Sequence, residues 1–329
     1  MEPVSVIICA KNELENLEKN LIKFLDQDYP DFEVIVVNDC SNDGSDYLLH
    51  DLSLIHKHLK VVTINDHPRF KHGKKFALTL GIKASKNENL IFSDADCFPA
   101  SNQWLKCMQR NFNDQTDIVL AYSPYEFEGS LLNRFIRYET FITALNYLSF
   151  ALSGKPYMGV GRNMAYKKSL FFKGKGFASH MHILSGDDDL FVNQNANSSN
   201  TRIEVDLESQ IWSEPKKSIS NYFFQKIRHF GAGKAYKSVH KFILGLQVIS
   251  GFLFYLFLIA LIVLDFNKWI IASIYFIRLF AQIIVYAPIL RKLRYKDLIW
   301  WLPVFDFVYS IYLVLINFIV LFWRRVVWR

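Results

Sequence analysis

The sequence predicts an α/β protein, with a doubly wound parallel sheet in residues 1–240 and a membrane-spanning helical region in residues 241–329. Three observations carry this reading. Short apolar runs with strand character alternate with segments of helical periodicity. Polar and acidic residues collect just after those runs, where one edge of a parallel sheet would gather them. From residue 242 onward the polarity collapses: residues 242–264 hold no charged side chain, residues 269–290 only Arg278, and residues 298–323 only Asp306. Each of these stretches exceeds the ~20 apolar residues that span a bilayer.

Taken in order, residues 4–9 form a buried-strand run, followed by the polar Lys11-Asn12-Glu13. Leu14, Leu17, Leu21, Ile22, Phe24 and Leu25 recur at helical spacing, and Tyr29-Pro30 closes that helix. Residues 32–37 give a second strand ending in the polar loop 38–45, with a helix through Ile55. A third strand covers 60–64, and Gly73-Lys74-Lys75 opens a helix carrying Phe76, Ala77, Leu80 and Ile82. Residues 90–93 and 118–122 supply two more strands. The fourth strand runs into Asp94-Ala95-Asp96. In an extended segment i and i+2 point the same way, so the two carboxylates are expected to face one cavity at the strand's carboxyl end. Two close carboxylates repel unless a cation lies between them, and a hard divalent ion bridging phosphates meets that need.

Matching pieces then follow one another along residues 4–235. They include Val6-Ile7-Ile8-Cys9-Ala10-Lys11-Asn12-Glu13, Val36-Val37-Asn38-Asp39, Gly73-Lys74-Lys75, Asp94-Ala95-Asp96, Gly161-Arg162-Asn163-Met164-Ala165, Gly186-Asp187-Asp188-Asp189-Leu190, Glu214-Pro215 and Gln225-Lys226-Ile227-Arg228-His229. The set resembles an inverting family-2 glycosyltransferase with the GT-A fold, a Rossmann-like domain that binds nucleotide sugars. That resemblance implies donor binding by Glu13, Asp39, Lys74, Asp94 and Arg228. It implies Mg²⁺ or Mn²⁺ on Asp96, with Asp94 beside it, and an acceptor side formed by Gln225, His229 and Asn163. Carboxylates suit the N–H and O–H donors of a base and a ribose, and a metal offsets charge on a leaving diphosphate.

Residues 185–190 are the second chemical centre. Single displacement needs one base to take the acceptor hydroxyl's proton as it attacks the anomeric carbon. Anchoring the family pattern on Leu190 makes Asp187 that base; a one-residue shift makes it Asp188. In Gln225-Lys226-Ile227-Arg228-His229 the family's Q-x-x-R-W has His229 in place of Trp, which removes an indole from the acceptor side. The same stretch also reads as an interfacial amphipathic helix over 216–235, and so does 130–152, where apolar residues interleave with Arg134, Arg137 and Glu139.

The formal charge of +7 does not imply nucleic acid. The bases cluster before the first apolar span (Lys216, Lys217, Lys226, Arg228, Lys234, Lys237, Lys241) and between the second and third (Arg291, Lys292, Arg294, Lys296), as expected of a cytosolic membrane face in contact with anionic lipid. No signal peptide precedes the first strand run, and four cysteines without C-x-x-C spacing fit a reduced cytosolic domain. Three crossings would place Arg324, Arg325 and Arg329 on the far side, against the positive-inside trend. Either the last segment is re-entrant, which Pro303 and Asp306 would suit, or the tail is an exception. Arg278 and Asp306 fall at similar depth and are expected to pair.

The function expected is thus a multi-pass, cell-envelope glycosyltransferase with its catalytic domain in the cytoplasm. It would move a sugar from a nucleoside-diphosphate donor, a UDP-sugar first, to a lipid, lipid-linked or glycan acceptor. The alternatives are a catalytically silent nucleotide-sugar-binding partner of another membrane enzyme and a nucleotidyltransferase. Sugar, acceptor, linkage and oligomeric state have no signature in the sequence.

Overall fold

The computed structural model describes residues 1–65, 73–183 and 185–322; Trp323 and the basic tail of Arg324, Arg325 and Arg329 lie outside them. The chain divides into two compact units, one of Met1–Glu126 with Thr143–Pro215, the other of Phe127–Ile142 with the chain from Lys216 onward.

In the first unit, β1 (Val4–Ala10), α1 (Leu14–Leu25), β2 (Phe32–Asp39), α2 (Ser45–Ile55), β3 (Leu59–Ile64), α3 (Lys74–Ala84) and β4 (Asn89–Asp94) alternate as the periodicity predicts. Then come β5 (Cys97–Pro99), α4 (Trp104–Gln109), β6 (Ile118–Ala121), the end of α5 (Leu131–Leu152), β7 (Met164–Lys167), α6 (Lys168–Lys173), α7 (Asp189–Asn195), β8 (Thr201–Glu204) and β9 (Ile211–Ser213). Seven strands form one sheet in the order β3-β2-β1-β4-β7-β6-β8.

The expectation of a parallel sheet is corrected here. β3, β2, β1 and β4 are parallel, but β7 runs antiparallel to both β4 and β6, so the sheet is mixed. β7 follows long excursions rather than a single crossover helix, so the parallel geometry that a βαβ unit imposes does not apply to it. A separate ribbon pairs β5 with β9.

Both faces of the parallel half are covered, which is why its strands read as unbroken apolar runs. Val34 and Val36 of β2 pack with Leu17, Leu21 and Phe24 of α1, whereas Ile35 and Val37 pack with Ala77 of α3. Gly81 lets α3 approach closely: a Cβ there would lie 2.8 Å from Ile7 Cγ2 and 2.9 Å from Val37 Cγ2. The strand order turns at β1, with β2 on one side and β4 on the other. That switch point, at the carboxyl ends of the strands, is where such sheets hold ligands.

The second unit contains the start of α5, α8 (Ile219–Ala232), α9 (Ser238–Val263), α10 (Lys268–Lys292) and α11 (Leu302–Phe322). Three stretches, covering α9, α10 and Lys296–Phe322, are long and apolar enough to cross a membrane. Their interior holds one polar node: Arg278 Nη2 lies 2.9 Å from Asp306 Oδ2, Arg278 Nε 3.1 Å from the same oxygen, and Tyr255 Oη donates to it at 2.5 Å. One side chain from each helix therefore closes a charge-neutral cluster, as the cost of a lone charge in apolar surroundings requires. Arg278→Leu and Asp306→Leu are each expected to cost about 3 kcal/mol and lower the melting temperature in detergent. The double variant is expected to recover most of the loss. Thermal unfolding of all three checks this, and single variants that melt like the parent would refute it.

Candidate active site

The carboxyl edge of β2, β1 and β4 collects the acidic residues. The register places Cys9 opposite Asp94 and Ala10 opposite Asn38, so Asp39 and Asp94 end the strands on either side of β1. The loops after β1 and β2 are tied together: Asn12 N donates to Ser41 Oγ and Leu14 N to Asp43 Oδ2, both at 2.9 Å. Glu13 sits half-exposed between them, its Oε2 accepting from Asn16 Nδ2. Asp39 is fully buried, and neither of its carboxylate oxygens has a hydrogen-bond partner among the described residues. A buried carboxylate left unpaired is costly, a cost that donors from a bound ligand would relieve.

Asp94 and Asp96 come together by a different geometry from the one expected. The strand stops at Asp94, and Ala95-Asp96 form a turn into β5, so the pair does not share one strand face. The turn nevertheless keeps one oxygen of each carboxylate and the Cys97 sulfur within 4.8 Å of one another. Burial, then Asp96 and Asp94, push the Cys97 thiol well above its ordinary pKa. The two carboxylates are the hard oxygen donors that suit Mg²⁺ or Mn²⁺.

Lys74, the first residue of α3, joins this edge to the acidic loop. Its Nζ lies 2.7 Å from Asp94 Oδ1 and 3.3 Å from Asp187 Oδ2. Burial disfavours the charged form, but Asp187 and Asp94 outweigh it and hold its pKa well above the usual lysine value. A cleft is lined by Lys74, Asp94, Asp187, Asp188, Gly161 and Tyr166.

The three consecutive aspartates divide their work. Gly186 enters the loop at φ +89°, a conformation that favours glycine, and a Cβ there would meet Leu190. Asp188 Oδ2 accepts from Gly161 N and its Oδ1 from Asp189 N, both at 2.8 Å, which makes it the cap of α7. Burial and then the neighbouring Asp187 charge push its pKa up, against Lys74 and those backbone donors. Asp189 is buried and accepts from Leu190 N at 2.7 Å. Asp187 is thus the acid of the three that pairs with the Lys74 ammonium in the cleft rather than with backbone N–H groups.

Two further residues bear on the site. Asn163, expected on the acceptor side, braces the elements around it. It is fully buried, its Oδ1 accepts from Trp104 Nε1 at 3.1 Å, and its Nδ2 donates to the carbonyls of Tyr122 and Ser209 at 2.7 and 2.9 Å. Lys75 escaped the sequence reading. Its buried Nζ donates to the carbonyls of His180 (2.7 Å) and Ile183 (2.9 Å), clasping the loop that leads to Asp187. Burial lowers its pKa to about 8 against the pull of Asp187, Asp189 and Asp188. The buried His180 ring is held neutral, its pKa lowered to about 4 by burial and then by Lys75. Gln225, Arg228 and His229 belong to α8 in the second unit.

The family model for glycosyl transferase family 2 matches residues 5–173, more than half of the chain. The chain belongs to glycosyltransferase family 2. The matched span runs from β1 to the end of α6 and so contains Glu13, Asp39, Lys74, Asp94 and Asp96.

Among curated relatives, the glycosyltransferase AglE of Haloferax volcanii is 37% identical over 31% of this chain and 33% of its own. The poly-beta-1,6-N-acetyl-D-glucosamine synthase of Staphylococcus epidermidis is 31% identical over 29% of this chain and 22% of its own. The matches thus cover a third or less of either relative. A mannosyltransferase from Pyrobaculum calidifontis, solved with GDP-Man and Mn²⁺, shares the fold over 94% of this chain and 87% of its own at a TM-score of 0.58, with 17% identity.

Proposed function

We propose that this family-2 glycosyltransferase transfers a sugar from a nucleoside-diphosphate donor, a UDP-sugar first, by single displacement with inversion. The observation that carries the reading is the convergence of three kinds of group on one cleft: the Asp94/Asp96 oxygen pair, the Lys74 ammonium and the Asp187 carboxylate. Asp39, buried and without partners among the described residues, and Glu13 beside it would take the hydrogen-bond donors of the base and ribose. Asp96 with Asp94 would hold Mg²⁺ or Mn²⁺, which supplies charge neutralisation to the leaving diphosphate. The Mn²⁺ and sugar nucleotide named with the Pyrobaculum structure accord with this donor set.

Asp187 then takes the proton of the acceptor hydroxyl as its oxygen bonds to the anomeric carbon and the bond to the diphosphate breaks. Lys74 bridges Asp94 and Asp187 and offsets their mutual repulsion until substrate enters, and Asp188 fixes the loop through Gly161. On the motif alone, Arg228 is proposed to neutralise the diphosphate, and Gln225 with His229 to orient the acceptor.

The apolar helices that follow, and the basic residues that precede α9 in the sequence, support a lipid or lipid-linked acceptor and a cytoplasmic catalytic unit. The test is nucleoside-diphosphate release from a panel of sugar nucleotides, with protein in native-lipid nanodiscs and Mn²⁺ or Mg²⁺. Metal-dependent release from one donor supports the reading. Donor binding without turnover would favour the silent partner, and pyrophosphate release from nucleoside triphosphates the nucleotidyltransferase.

Lys75 gives a further expectation. Lys75→Met keeps the aliphatic stem but strands two buried carbonyls. It is expected to lower kcat about tenfold, by analogy with the ~1–3 kcal/mol cost of unpaired buried groups, with donor Kd unchanged within about twofold. Equal losses in donor binding and turnover would instead indicate general misfolding.

A further inference from the structure

The turn that carries Asp96 leads into β5, and the ribbon that β5 forms with β9 holds a second cation near the acidic pair. Ser213 of β9 pairs with Cys97 of β5 and also bridges Tyr125. Glu126 N donates to the Ser213 carbonyl at 3.1 Å and Ser123 Oγ to the Ile211 carbonyl at 2.6 Å. Residues 123–126 thus run beside β9 on the edge that β5 leaves open.

Arg162 is fastened to that segment. Its Nη2 donates to the Ser123 carbonyl at 2.9 Å, and its guanidinium carbon lies 4.3 Å from the centre of the Tyr125 ring. The residues on either side are held too, Gly161 N by Asp188 Oδ2 and the Asn163 amide by the carbonyls of Tyr122 and Ser209. Arg162 Nε is buried and has no hydrogen-bond partner among the described residues. Burial opposes the charge of this guanidinium, while Tyr125, Cys97 and Asp96 support it, and an arginine stays ionised in any case.

Each member of the carboxylate pair therefore has a cation of its own. Lys74 Nζ lies 2.7 Å from Asp94 Oδ1, and the Arg162 charge acts on Asp96, whose Oδ1 accepts from the Cys97 thiol at 3.3 Å. A bare divalent ion entering this site meets two fixed positive charges along with its two ligands, and the repulsion offsets much of the attraction. A diphosphate has the opposite balance, because the same cations attract it. An ion that arrives with a diphosphate brings both terms, and they largely cancel.

We propose, on the reading of Asp94 and Asp96 as the metal pair, that Arg162 is a positioning residue that fits this pair to the metal–nucleotide complex rather than to the free ion. The empty cleft is then not filled by metal alone, and the donor and its ion enter together. The signature is a pair of changes with opposite signs. Removing the Arg162 charge tightens the free ion and weakens the metal-free nucleotide, whereas mere damage to the turn weakens both.

Three affinities of the full-length protein in nanodiscs test this: Mn²⁺ alone by electron paramagnetic resonance, UDP alone in chelator by calorimetry, and UDP at saturating Mn²⁺. Arg162→Gln keeps a donor for the Ser123 carbonyl but no charge. It is expected to bind free Mn²⁺ about tenfold more tightly and metal-free UDP about tenfold more weakly, with the complex changed by no more than about threefold. Arg162→Met is a second neutral variant, expected to behave alike should Arg162→Gln not fold, and Arg162→Lys should keep the parent's three values. Free Mn²⁺ bound no more tightly by the neutral variants, or Arg162→Lys behaving as they do, overturns the role of Arg162 and leaves the metal pair standing. A parent that takes up no Mn²⁺ with or without UDP overturns the metal pair itself, and this role with it.

Discussion

Asp187→Asn is expected to lower the rate of sugar transfer by about 10²–10⁴-fold, the range a positioned general base contributes, while donor affinity changes by no more than about twofold. The amide has the shape of the carboxylate but cannot take the acceptor's proton, so the loss belongs to kcat. Asp188→Asn makes the informative comparison. Asp188 spends one oxygen on Gly161 N and the other on Asp189 N, and an amide can accept with only one of its two terminal atoms. That variant should lose about 1–3 kcal/mol of stability and melt lower, whereas Asp187→Asn should melt like the parent. Stopped turnover in Asp188→Asn beside near-normal turnover in Asp187→Asn would move the base by one residue.

The ease with which parts of this fold are read from sequence follows from where their determinants lie. β1, β2 and β4 are buried on both faces by their own neighbouring helices, so continuous apolar runs and the helices' 3.6-residue spacing mark them locally. β5, β7, β8 and β9 are only three or four residues long, too short for any period to register, and their directions depend on partners far along the chain. Asn163 illustrates the same limit at the site. Its motif marks it as functional, but its duty is set by Trp104, 59 residues away, and by two distant carbonyls. Lys75 was hidden because its acceptors are backbone oxygens of a loop more than a hundred residues downstream. The acidic clusters were legible because carboxylates placed after buried strands have few structural uses; their geometry was not, since the turn at Ala95-Asp96 rather than a strand face brings the pair together.

Asp96→Ala should prove the other large lesion, and its value lies in how it combines with metal removal. Neutralising the charge that develops on a leaving diphosphate is worth several kcal/mol, so at ~1.4 kcal/mol per tenfold the substitution should cost about 10²–10⁴-fold in kcat/KM. Chelating the divalent ion from the parent should produce a loss of the same order, reversed by Mn²⁺. If Asp96 acts through the ion, the two losses share one cause and cannot add: the variant's residual rate should be indifferent to chelator. Mn²⁺ binding followed by electron paramagnetic resonance supplies a readout apart from turnover. The parent should take up the ion more tightly in the presence of nucleoside diphosphate, because carboxylate and phosphate oxygens then complete its shell, and Asp96→Ala should lose that enhancement. A variant that keeps both Mn²⁺ uptake and chelator sensitivity would assign the ion elsewhere. Asp96 would then be left as an acid held near Asp94 by the turn and the Cys97 thiol, an arrangement whose mutual repulsion the Lys74 ammonium on Asp94 and the Arg162 guanidinium near Asp96 would offset.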